Sequence, residues 1–149
     1  MVKNKKITFD KDLGIKEVSS KKGFYKIKLD LKQKHLNHGG IAHGGVLAGL
    51  LDIALAGAVS TTMEKDEWCL TASLSIEYLN PAFPGEIYAF GKLVKRGKNL
   101  AFVEGGIQSK DKKLLTKATG IWIIKTFPIK STKKKGETLY ITSQQKKMD

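Results

Sequence analysis

The feature that most constrains the fold is the twenty-residue run 44–63, GGVLAGLLDIALAGAVSTTM, in which Asp52 is the one ionisable group. Such a run either crosses a membrane or forms the buried core of a folded domain. Its length is marginal for a span, and a carboxylate at the centre costs roughly 2.5–3.5 kcal/mol on insertion. A helix apolar on all sides in a soluble protein is a buried helix. The pattern predicts one over about 44–62; at 1.5 Å per residue it measures roughly 28 Å, enough to cross a small domain.

The rest of the chain reads as the sheet around that helix. Residues 22–31, KGFYKIKLDL, set Phe24, Ile27, Leu29 and Leu31 among Lys26, Lys28 and Asp30, the pattern of a half-buried strand. A polar, glycine-rich loop, KQKHLNHGGIAHGG, leads into the helix. Further strands are predicted at 69–79, ended by Asn80-Pro81 and Pro84-Gly85, and at 86–95. Two more follow at 100–109, with a bend at Gly105-Gly106, and at 113–126. Residues 7–20 read as an irregular or extended lead-in. From Lys130 the composition is that of a mobile tail, with at most a short strand at Tyr140-Ile141. The expectation is one α+β domain, 7–129, followed by a basic tail, 130–149. A sheet with a single helix leaves an edge or a face uncovered, so self-association is expected.

One cysteine, Cys69, cannot form an internal disulfide, and the charged stretch 1–11 has no apolar segment of a secretory signal. A reducing, cytoplasmic setting is the expectation. The net charge is +13, of which residues 1–6 hold +3 (Lys3, Lys5, Lys6) and residues 130–149 hold +4 (six lysines against Glu137 and Asp149), leaving +6 for 7–129. An anionic partner or a merely solvated surface would each account for it. Nucleic acid is not favoured, because Tyr140 is the one aromatic in the basic C-terminal segment.

Asp52 has small helical neighbours, Ala48 and Gly49 before it and Ala56 after it. They leave a slot for a partner backbone or a thin ligand. A buried carboxylate must be hydrogen-bonded, paired or protonated, and desolvation would raise its pKa, as suits a general base or nucleophile. The same acid would serve equally as a cap for a nearby loop. At the loop-to-helix junction, Asn37-His38-Gly39-Gly40-Ile41-Ala42-His43-Gly44-Gly45, glycines bring free N–H groups and the helix dipole close to a ligand. These are the ingredients of an oxyanion hole. His35, His38 and His43 match no metal-ligand spacing, and neither a phosphate loop nor a GxSxG motif is present.

The run Asn37-x5-His43-Gly44-Gly45-x6-Asp52, at the start of the apolar helix, resembles the hotdog-fold acyl-CoA thioesterases, more narrowly the phenylacetate-pathway (PaaI-type) branch. The likeness continues through Ser73-Leu74-Ser75-Ile76-Glu77-Tyr78-Leu79-Asn80-Pro81-Ala82 and spans roughly residues 13–126. The resemblance implies an antiparallel sheet of five or six strands curled around the helix. It also implies sheets joined edge to edge in a homodimer, dimers of dimers, and active sites at the interface. In the implied site Asp52 is general base or nucleophile and Gly44 N–H polarises the thioester carbonyl. Asn37 positions thioester or water, and His43 orients the loop. A hydroxyl from the partner subunit holds the attacking water, Thr71 matching first and Ser73 next. Gly45 belongs to the substrate-binding corner. Lys95, Arg96 and Lys98, clustered on one hairpin, are candidate contacts for the phosphates of coenzyme A, which enters as part of the substrate; no cofactor and no metal are implied.

The leading expectation is therefore hydrolysis of acyl-CoA to a carboxylic acid and CoA. The alternative is a hotdog module that binds acyl-CoA without turning it over. A hydratase is disfavoured, since Ile53 stands after Asp52 where that class places a histidine. Met63, Trp68, Phe83, Tyr88 and Phe90 are candidates for an acyl pocket or for core packing.

Overall fold

The computed structural model describes residues 8–127; the basic tail, including Tyr140 and Ile141, and the N-terminal lysines lie outside them. A short helix α1 (Phe9–Leu13) precedes the hairpin β1 (Lys16–Lys21) and β2 (Phe24–Leu31). One 3₁₀ turn (Gln33–His35) leads to the long helix α2 (Gly44–Ser60), then β3 (Glu67–Tyr78), β4 (Gly85–Arg96), β5 (Leu100–Ser109) and β6 (Leu114–Thr126). All strands join one antiparallel sheet in the order β1-β2-β4-β5-β6-β3. The α+β reading and the strand count of the hotdog fold hold. Within the lead-in, Phe9–Leu13 forms α1 where no helix is expected, and the extended part, Lys16–Lys21, is paired as β1. All six β1 residues are exposed, so no inward apolar alternation marks it as a strand; it is held by backbone pairing to β2.

Leu47, Leu50, Leu51, Ala54, Leu55, Ala58 and Val59 bury one broad side of α2. It packs on β2 to β6, and Trp122, Ile27, Leu29 and Ile107 close the core from the sheet. The helix sits very close to β4: a Cβ on Gly91 would lie 2.5 Å from the Ala54 carbonyl oxygen, so only glycine lets the two backbones meet. Gly57 is similarly occupied, with the Tyr25 ring where its Cβ would be.

β3 bulges between Thr71 and Ser73. The extra residue moves the inward-facing side from odd to even positions. Cys69 faces the core before the bulge, and Leu74 and Ile76 after it. Thr71 is thus inward and Ser73 outward. β3 is also a sheet edge twelve residues long, with Trp68 and Leu70 exposed on it. Among the described residues no helix is long and apolar enough to span a membrane.

Candidate active site

α2 starts from a loop whose own polar groups set its shape. The Asn37 side-chain oxygen accepts the N–H groups of Gly39 at 2.8 Å and Ile41 at 3.4 Å, and its main-chain N–H donates to the Ile41 carbonyl at 2.8 Å. Asn37 therefore folds the glycine-rich loop on itself. His43 is the helix N-cap; its Nδ1 accepts the Gly45 N–H at 2.9 Å, and its main-chain N–H donates to the His35 carbonyl at 2.9 Å. His43 Nδ1 is thereby an unprotonated acceptor. Gly45 has spent its N–H on His43, whereas the Gly44 N–H has no partner among the described residues. That N–H is one of the orphan donors of a helix first turn, at the positive end of the dipole.

Sequence reasoning missed Tyr78 as a site residue. Its hydroxyl donates to the Gly44 carbonyl at 3.0 Å, and its ring lies 3.7 Å from where a Gly44 Cβ would stand. The residue buttresses the peptide that follows the free N–H. The signal was available, since Tyr78 falls in the strand that carries the family likeness, but spacing alone does not show that this strand end reaches the helix start.

Two turns further along α2, Asp52 accepts the Thr71 hydroxyl at 2.8 Å. Two expectations are corrected here. Asp52 is half-buried in the single chain, where it lines an open cavity together with Ala56, while the Phe9 ring covers Gly49. The hydroxyl reaches Asp52 from the same chain, since β3 turns back along α2 after only residues 61–66. Ser73 falls on the other side of the bulge and does not join them. Cys69, also on the inward side, sits 3.9 Å from the Ser60 hydroxyl. Burial pushes its thiol up, partly offset by the Ser60 hydroxyl, while the negative charge of Asp52 adds to the rise. Cys69 is thus a protonated thiol at neutral pH and no rival nucleophile.

Asp52 lines a cavity of about 600 Å³ whose other walls include Phe9, Tyr25, Ile53, Ala56 and Ser60. None of Met63, Trp68, Phe83, Tyr88 and Phe90 lines it. Phe9 comes from α1, the element the sequence left unassigned. On the hairpin after β4, Arg96 is bound to Glu67 at 2.6 Å and to the Gly97 carbonyl, while Lys95 and Lys98 are exposed. Among the described residues no three of His, Cys, Asp and Glu gather as a metal site would need.

A long helix wrapped by a six-stranded antiparallel sheet is the hotdog fold. The sequence model of the Thioesterase superfamily matches residues 39–116, more than half of the chain, from the glycine loop to the first residues of β6. The chain belongs to that superfamily and is a thioester hydrolase. It is 32% identical to human acyl-coenzyme A thioesterase 13 over 104 residues, covering 68% of this chain and 74% of that protein. The PaaI protein of the E. coli phenylacetic acid degradation operon superposes with a TM-score of 0.72 at 25% identity, over 76% of this chain and 81% of that one. The protein smu.793 of Streptococcus mutans, solved bound to acetyl CoA, gives 0.70 at 26% identity, over 75% of this chain and 89% of that one.

Proposed function

We propose that the protein hydrolyses acyl-CoA thioesters in a cytoplasmic setting, with Asp52 as base or nucleophile, Gly44 N–H as oxyanion donor, and each site built from two copies of the chain. The observation that carries this reading is the Asp52–Thr71 pair facing a cavity, on a helix whose first free N–H is unspent. Attack on the thioester carbon makes an oxyanion, which Gly44 N–H stabilises; the carbon–sulfur bond then breaks and the CoA thiolate takes a proton. The net change is thioester plus water to carboxylic acid plus thiol. Asp52 either deprotonates the water or attacks first and is released from an anhydride by water. Oxygen-18 incorporated into Asp52 in a single turnover marks the second route.

The two groups cannot serve one carbonyl within one chain. Eight residues separate them, so they lie about 12 Å apart along the helix. A donor and a nucleophile acting on one carbonyl must each come within about 3 Å of it. A second copy closes the gap, and the long, apolar edge of β3 is the surface suited to bring it. The relatives named for acyl-CoA chemistry support the substrate class. A module that only binds acyl-CoA has no use for a carboxylate held by a hydroxyl next to a cavity.

The test is complementation. Asp52→Asn and Gly44→Pro are each expected to be inactive. Mixed after co-refolding, they should regain about a quarter of wild-type sites, because half of the dimers are mixed and one of their two sites is intact. No recovery in demonstrably mixed dimers overturns the shared site, and thiol release by neither mixture nor wild type overturns the activity.

A further inference from the structure

A second cavity, of about 650 Å³, opens beyond the C-terminal end of α2 and takes four cations, Lys21, Lys22, Lys92 and Arg96, into its lining with no acid. Phe24 and Leu93 supply its apolar part. The cleft is built. Gly23 N–H donates to the Thr61 hydroxyl at 2.7 Å, and the Gly23 carbonyl accepts the Leu93 N–H at 2.8 Å, so the β1–β2 tip is pinned to both helix and sheet. Among the described residues Lys21, Lys22 and Lys92 make no ion pair. Glu67 is not part of the lining, and the Arg96 side chain, bonded to it at 2.6 Å, neutralises it and holds its carboxyl below the usual range. The helix-end carbonyls of Ala58 and Val59, which would repel an anion, each accept a threonine hydroxyl at 2.7 Å, from Thr61 and Thr62. What remains is positive, concave and partly apolar, the character of a site for a phosphorylated aromatic group.

Its distance from Asp52 is informative. Thr62, in its wall, lies ten residues beyond Asp52, about 15 Å along the helix direction. The pantetheine arm between a thioester sulfur and the diphosphate is about thirteen bonds long, a little over four residues of backbone, and spans about 15 Å extended. Gly23, which lines this cleft, is hydrogen-bonded to Thr61, which lines the cavity at Asp52, so the two cavities are neighbours.

We propose that this cleft seats the phosphate-bearing nucleotide end of the substrate in the copy that supplies Asp52. The inference rests on the acyl-CoA reading above and adds Lys21, Lys22 and Lys92, which lie outside the Lys95–Lys98 turn, to Arg96 within it. The experiment compares an acyl-CoA with the same acyl group on N-acetylcysteamine, which has the thioester but no nucleotide. In Lys22→Glu/Lys92→Glu, both exposed positions, the ratio of kcat/KM for the CoA ester to that for the cysteamine ester should fall about tenfold at low salt, mainly through KM. The deficit should shrink at 1 M salt, where the Debye length is about 3 Å. Lys110→Glu/Lys113→Glu makes the same charge change away from the cleft and controls for net charge. A ratio equal to wild type, or an equal fall in the control, overturns the proposal. If wild type hydrolyses neither ester, the thioesterase reading fails by itself. Calorimetric titration with adenosine bisphosphate then decides the cleft: binding lost in Lys22→Glu/Lys92→Glu upholds it, and no binding to wild type overturns it.

Discussion

Gly44→Pro isolates one hydrogen bond donor with little other disturbance. Gly44 is the first residue of α2, where proline is tolerated because that N–H has no helical partner. The preceding residue suits it too: His43 sits at φ −62° and ψ 134°, in the extended region that a residue before proline prefers. Gly44 is not among the glycines with positive φ, so the proline ring meets no backbone conflict there. Added carbon at Gly44 would touch the Tyr78 ring at about 3.7 Å, an ordinary contact. The substitution therefore removes the N–H and leaves the helix. Loss of one oxyanion donor costs about 10²–10³ in kcat, near 3–4 kcal/mol of transition-state stabilisation. Gly44→Ala keeps the N–H and should stay within about tenfold of wild type. The assay is thiol release at saturating acyl-CoA, with circular dichroism and sedimentation confirming fold and assembly. Turnover by a folded, assembled Gly44→Pro within tenfold of wild type would refute Gly44 as the oxyanion donor.

Four further outcomes are expected. Asp52→Asn should lower kcat by about 10²–10⁴ while leaving Tm close to wild type, and near-normal thiol release would remove Asp52 from the mechanism. Thr71→Val loses a hydrogen bond to a half-exposed carboxylate and should cost about tenfold in kcat, with Thr71→Ser restoring it; Ser73→Ala, on the outward side of the bulge, should cost nothing, and the reverse order in a kinetic comparison would show that the bulge is misplaced. Gly91→Ala drives a Cβ into the Ala54 carbonyl and should destabilise by about 1–3 kcal/mol in urea titration, an unchanged midpoint counting against the close helix–sheet approach. Buried His35 accepts the Lys32 N–H at Nδ1 and donates from Nε2 to the Leu13 carbonyl, and desolvation holds it below its ordinary pKa of 6.5 despite the Leu13 bond. The unfolded chain then takes up the proton first, so its stability is present above about pH 6.5 and lost as pH falls through the lowered folded value; His35→Gln should flatten that part of a Tm–pH curve.

Much of this protein was legible from local pattern. The apolar run around Asp52 can fold only as a buried helix, and alternation along 24–31 and the later segments marks strands within a residue or two of where they lie. Asp52, the glycine corner and His43 are legible too, since an acid in an apolar helix and glycines at a helix start stand out against their neighbours. What local pattern cannot carry is anything that depends on which distant segments meet. β1 is exposed on every residue, and α1 has no buried residue, so neither leaves a hydrophobic period; yet Phe9 and Tyr25 wall the cavity at Asp52. Thr71 and Ser73 share a face in any regular strand, and only the bulge, a consequence of pairing with β6, sends one to Asp52 and the other away. Tyr78 reaches Gly44 because β3 runs back along the whole helix. Residue types and short spacings thus determined the chemistry on offer, while the assignment of that chemistry to particular side chains came from packing across long separations, where the pairing of strands sets direction and the helix sets distance.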